Sequence, residues 1–64
     1  MNLTPRQQQT LELVAQGLTD PQIADHMRIS VWTVKEHIAE IRLRLGVKSK
    51  HHAVAVGFQK GWLT

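Results

Sequence analysis

Ser30-Val31-Trp32-Thr33-Val34-Lys35-Glu36-His37-Ile38-Ala39-Glu40-Ile41-Arg42-Leu43-Arg44-Leu45-Gly46 decides how every other segment can be arranged. Val31, Val34, Ile38, Ile41 and Leu45 recur at i, i+3, i+7, i+10 and i+14, one apolar stripe of an amphipathic helix. Ser30 suits the N-cap, where its hydroxyl accepts from a free backbone N–H. Gly46 suits the stop, because glycine takes a left-handed conformation without steric cost. The opposite face carries Lys35, Glu36, Ala39 and Arg42, with Trp32 at the entrance. An apolar back with a basic, small-residue front fits the major groove of DNA. The same pattern also describes an ordinary solvated surface helix, so the flanking segments must decide.

Upstream, Thr4-Pro5-Arg6-Gln7 and Thr19-Asp20-Pro21-Gln22 are the same start signal used twice. Each has a threonine cap and a glutamine three residues on that can reach back, a capping box, with proline in the first turn. After a lead-in of Met1–Leu3, the pattern predicts a first helix from about Pro5 to Gln16 with Leu11, Val14 and Ala15 inward. Gly17 stops it and Leu18 packs just beyond. A second helix runs from about Asp20 to Met27, with Ile23, Ala24 and Met27 inward. Arg28-Ile29-Ser30 is a three-residue turn with Ile29 tucked in, the spacing of a helix-turn-helix. A left-handed residue at Arg28 would be modestly strained, since glycine suits that conformation better.

Downstream, Val47 plugs the core and Ser49 caps a fourth helix, from about Lys50 to Lys60, ended by Gly61. Ala53-Val54-Ala55-Val56-Gly57-Phe58 is non-polar throughout and could by itself be a strand, but the cap before and glycine after favour helix. A helix apolar on all sides is buried on all sides. In so thin a domain one side meets the core, and a second copy of the chain is expected on the other, through His51, Val54, Ala55 and Phe58. Trp62 and Leu63 fold back over the end of the core. The fold class is therefore all-α, a four-helix domain containing a helix-turn-helix, and residues 1–64 form one domain.

A chain of 64 residues buries only about 60% of its unfolded surface. It has no cysteine, so neither disulfides nor thiolate metal sites help it. The absence of cysteine fits a cytosolic protein. No apolar run reaches the roughly 18 residues of a membrane span, and the N-terminus lacks a signal pattern. The chain reads as a small whole protein or an excised domain. Its net charge of +3 is unevenly spread: residues 1–27 carry −2 and residues 28–64 carry +5. The basic half, which holds the amphipathic helix, points to a polyanion. No Gly-rich phosphate loop, metal motif or carboxylate pair is present, so no enzyme and no cofactor are expected. His51 and His52 are adjacent and cannot close a metal site with the distant His26 and His37.

These residues resemble the LuxR-type helix-turn-helix domain of bacterial transcription regulators. The resemblance lies in Leu3-Thr4-Pro5-Arg6, Val14-Ala15-Gln16-Gly17-Leu18-Thr19, Ile23-Ala24, Ile29-Ser30, Thr33-Val34-Lys35-Glu36-His37-Ile38, Ile41, Leu45-Gly46-Val47 and Ala53-Val54. It implies a third helix in the major groove of double-stranded DNA and homodimerisation through the fourth helix. It further implies a cytoplasmic, nucleoid location, with RNA polymerase as a further candidate partner. Lys35, Glu36 and Ala39 then occupy groove-facing positions, and Thr33 offers a hydroxyl to phosphate. His37 matches the family's histidine, a partly buried structural residue.

Chemistry assigns each position a role. Lys35 can reach guanine O6/N7 or a phosphate, Glu36 can accept from a cytosine amino group, and Ala39 allows close approach or touches a thymine methyl. Trp32 either packs on sugar and phosphate beside the groove, which is favoured, or covers part of the second helix. Arg42, Arg44, Lys48 and Lys50 are phosphate-range charges, with Arg6 a further candidate. Several positions depart from the family pattern. Gln7 and Gln9 stand where glutamates are usual, Arg28 where glycine or asparagine is common, and His52 where a glutamate would complete a capping box. Arg42-Leu43 reverses an apolar-then-basic order. Two competing readings are a promoter-recognition module like region 4 of sigma factors and a small helical protein-interaction module that never touches DNA.

Overall fold

The computed structural model describes residues 3–64, so the first two residues of the expected lead-in lie outside the described residues. Four helices follow one another: α1 (Pro5–Ala15), α2 (Asp20–Met27), α3 (Val31–Leu45) and α4 (Lys50–Gln59). No strand occurs among the described residues.

Each start is fixed by a local side chain. Thr4 Oγ1 accepts from the Gln7 N–H at 3.2 Å while Gln7 Oε1 accepts from the Thr4 N–H at 3.0 Å. The Thr19–Gln22 pair repeats this at 3.3 and 2.9 Å. Both capping boxes are complete. Ser30 and Ser49 cap α3 and α4 from one side only, each accepting at 3.0 Å from the N–H three residues on. α1 and α4 each stop one residue short of the expected end, at Ala15 and Gln59.

The core has two parts. Leu13, Val14, Ile23, Ala24, Met27, Val34 and Ile38 join α1, α2 and α3, with Leu18, Ile29 and Val31 packed at the margin. Leu11, Ile41, Ala53 and Leu63 join α1, α3, α4 and the C-terminal segment, with Leu45 and Val47 against them. Val54 touches both parts. α3 thus lies against all three other helices, and its stripe is what they are assembled on. Buried Gly57 lets α4 approach closely: a Cβ there would come within 2.8 Å of Leu63 Cδ1 and 3.1 Å of Leu11 Cδ2. As expected of so thin a domain, α4 meets the core along one side only. Ala53 and Gly57 are buried and Val54 and Val56 half-buried, whereas Ala55 and Phe58 are exposed. A ten-residue helix on a domain this small has neighbours on one side only.

Two polar side chains inside the fold are fully accounted for. Thr10 donates its hydroxyl to the Arg6 carbonyl at 2.8 Å and lies 3.4 Å from Met27 Sδ. Gln7 serves its cap with Oε1 and donates through Nε2 to Glu40 Oε1 at 3.0 Å. A glutamate at this position would instead set two carboxylates against each other.

Arg28 is left-handed, at φ 60° and ψ 45°, as the three-residue turn requires. A non-glycine residue there costs about 1–2 kcal/mol, offset in part by its smaller loss of backbone entropy. Arg28→Gly is therefore expected to stabilise the chain by about 1 kcal/mol, a rise of about 4–8 °C in Tm. Thermal melting followed by circular dichroism checks this; an unchanged or lower Tm would contradict strain at the turn.

Candidate nucleic-acid interface

With Val34, Ile38 and Ile41 turned inward, the 3.6-residue period puts Trp32, Glu36, Ala39 and Leu43 on the opposite side of α3. All four are exposed, Leu43 at 83% and Trp32 at 68%. Trp32 is thus open to solvent rather than folded over α2. It stands one step of about 100° past Val31 and two steps short of Val34, which carries it off the inward stripe. Lys35 lies one turn before Ala39 on the flank of this strip, and its side chain is 65% exposed.

The flank beside Lys35 is a notch lined by Asp20, Lys35, Ile38, Arg42 and Lys50, drawn from the starts of α2 and α4 and the middle of α3. Asp20 lies between two of its cations. Lys35 Nζ is 3.6 Å from one carboxylate oxygen and Lys50 Nζ is 3.5 Å from the other. Arg42 is half-buried, and its guanidinium donates to the Lys48 carbonyl at 3.1 Å. It therefore ties the end of α3 to the loop before α4. This explains the reversed Arg42-Leu43 order: position 42 faces the notch and position 43 faces solvent.

The remaining candidates are placed as follows. Thr33 is half-buried, and its hydroxyl shares a 2.9 Å hydrogen bond with Ser30 Oγ, so it belongs to the α3 cap. Lys48 is exposed in the α3–α4 loop and Lys50 is half-buried at the first position of α4. His37 is half-buried. On α4, His51, Ala55 and Phe58 are exposed, Phe58 at 50%, while Val54 is half-buried against the core. Sequence reasoning brought Lys35, Arg42 and Lys50 forward but missed Asp20. A capping-box aspartate in the first turn reads as a helix-start residue, and its cationic neighbours lie on two later helices.

An apolar-backed helix after a three-residue turn that opens on a left-handed residue, with a cationic notch at its flank, is the geometry of a helix-turn-helix. Comparison with known proteins agrees. The family model "Bacterial regulatory proteins, luxR family" matches residues 1–56.

The chain belongs to the luxR family of bacterial regulatory proteins.

Among curated relatives of this luxR-family domain, the transcriptional regulatory protein DesR of Bacillus subtilis is 38% identical over 60 residues, covering 94% of this chain and 30% of that protein. The response regulator protein VraR of Staphylococcus aureus is 37% identical over 57 residues, 89% of this chain and 27% of that protein. This chain thus spans under a third of the length of these curated relatives. Among solved structures, the transcription factor GerE superposes with a TM-score of 0.93 at 27% identity, covering 97% of this chain and 92% of that one. The response regulator ChrA of a heme-sensing two-component system superposes with a TM-score of 0.92 at 32% identity, covering 97% of this chain and 31% of that one. The chain is a helix-turn-helix domain of DNA-binding transcription regulation. No helix among the described residues is long and apolar enough to cross a membrane.

Proposed function

We propose that this domain binds double-stranded DNA in a sequence-dependent way by laying α3 in the major groove, as a homodimer joined through α4. The observation that carries the reading is the exposed strip of α3, small at Ala39 and flanked by Lys35, in the half of the chain that carries +5. Lys35 and Glu36 meet base edges, Ala39 admits the helix to close range, and Trp32 packs on sugar and phosphate. Thr33, Arg42, Lys48 and Lys50 lie toward the phosphates, and the free N–H groups at helix starts add to them. Exposed His51, Ala55 and Phe58 on α4 support a second copy as partner. Two copies would then read half-sites about 34 Å apart or a multiple of it.

The same reading places the domain in a cytoplasmic transcription regulator, with RNA polymerase as a further partner and no catalytic step of its own; the names of DesR, VraR and ChrA as regulators support the regulatory role. Titration of a random duplex at several salt concentrations tests the reading. With about five phosphates neutralised per domain, log affinity falls with log salt at a slope of about −4 to −5. A chain that binds no duplex at low salt would overturn it in favour of a protein-interaction module. Sedimentation across concentration, free and on DNA, tests the dimer; a monomer in both conditions would exclude it.

A further inference from the structure

We propose that Asp20 is an internal competitor for the DNA backbone: its carboxylate holds the lysines that phosphate would otherwise take, and so sets the affinity and salt response of binding. The inference rests on the DNA-binding reading above and adds a residue that opposes binding.

The geometry is specific to this carboxylate. Its two oxygens serve two different helices, one facing Lys35 of α3 at 3.6 Å and the other Lys50 of α4 at 3.5 Å. The oxygen facing Lys50 is buried and accepts no hydrogen bond, so the ammonium 3.5 Å away is what balances it. Asp20 has only 20% of its side chain exposed, against 65% for Lys35 and 38% for Lys50. The anion is fixed in the notch while the cations sit at its rim. Arg42 lines the same notch, and its Nε is buried with no acceptor. Three cationic side chains around one carboxylate leave the notch with excess positive charge, the condition under which a second anion is attracted.

A phosphate approaching the rim has one negative charge to offer each lysine. Asp20 already offers one, so Lys35 and Lys50 gain less from a phosphate than free lysines would. They also release fewer counterions, because part of their charge is compensated before DNA arrives. Exposed ion pairs are individually weak, so the effect is one of tuning. Removing the Asp20 charge should tighten duplex binding about three- to tenfold at low salt and steepen the salt slope by up to about one unit. The gain must pass through the two lysines.

The test compares the parent chain with Asp20→Asn by fluorescence anisotropy on a random duplex at low and moderate salt. Asp25→Asn serves as a control on the same helix, since Asp25 makes no ion pair among the described residues. The expected result is a three- to tenfold gain for Asp20→Asn, about twofold or less for Asp25→Asn, and loss of the Asp20→Asn gain when Lys35→Met and Lys50→Met are both present. Equal gains for the two aspartates, or a gain that persists without the lysines, would show only a general charge effect and overturn the proposal. So would a parent that binds while Asp20→Asn binds no better. A parent that binds no duplex would instead sink the DNA-binding reading itself. Should Asp20→Asn melt early, Asp20→Ser keeps a polar first-turn residue and is held to the same outcomes.

Discussion

Ile23→Ala should unfold most of the chain at 25 °C. Ile23 is completely buried in the part of the core that joins α1, α2 and α3. Truncating a buried isoleucine to alanine costs about 2–5 kcal/mol, through lost transfer energy and the cavity left behind. A domain this small, with no cysteine to cross-link it, holds about 3–5 kcal/mol in all. The side chain sits where α2 meets α3, so the loss falls on the packing that orients α3. Urea denaturation followed by circular dichroism should give a largely unfolded baseline without denaturant. A variant that stays folded with less than about 1 kcal/mol lost would mean that the core can close over the gap.

Lys35→Met should weaken duplex binding about 5- to 30-fold while leaving thermal stability nearly unchanged. A lysine that reaches a guanine edge or a phosphate from a groove helix is worth about 1–2 kcal/mol. Its partner in the free chain is a partly exposed carboxylate at 3.6 Å, and such pairs contribute little to folding. The form of the loss separates the two roles. A guanine contact weakens some sequences and relaxes preference at one position, whereas a phosphate contact weakens all sequences and lowers the salt slope by about one unit. Anisotropy on a panel of duplexes measures both. Affinity within about twofold of the parent on every duplex would place Lys35 outside the interface.

Most of the fold was legible because it is written in short-range signals. The two Thr-x-x-Gln boxes close over three residues, and the α3 stripe repeats with the helical period. The left-handed Arg28 followed from the length of the turn it must make. The unread parts depend on elements far apart in the chain. Gln7 and Glu40 are 33 residues apart and meet only after α1 packs on α3. Asp20 gains its meaning from Lys35 and Lys50, which the helical pattern reads one at a time. In α4, every residue from Ala53 to Phe58 is non-polar, so polarity could not say which side faces the core. The close approach at Gly57 decides it, placing Val54 inward and Phe58 outward. At Arg42-Leu43, composition alone left the facing open. The hydrogen bond from Arg42 to the Lys48 carbonyl resolves it.

The central claim is that the exposed strip of α3 is the surface that meets the duplex. Amide nitrogen–proton NMR of the isotope-labelled chain, titrated with a short duplex, tests it most directly. The account predicts that the perturbed amides cluster on residues 30–39 and at the starts of α2 and α4 around the Asp20 notch, with the far side near Glu12, Gln16 and Trp62 unmoved. Perturbations gathered around Gln16, Phe58 and Trp62, with residues 32–39 silent, would contradict it.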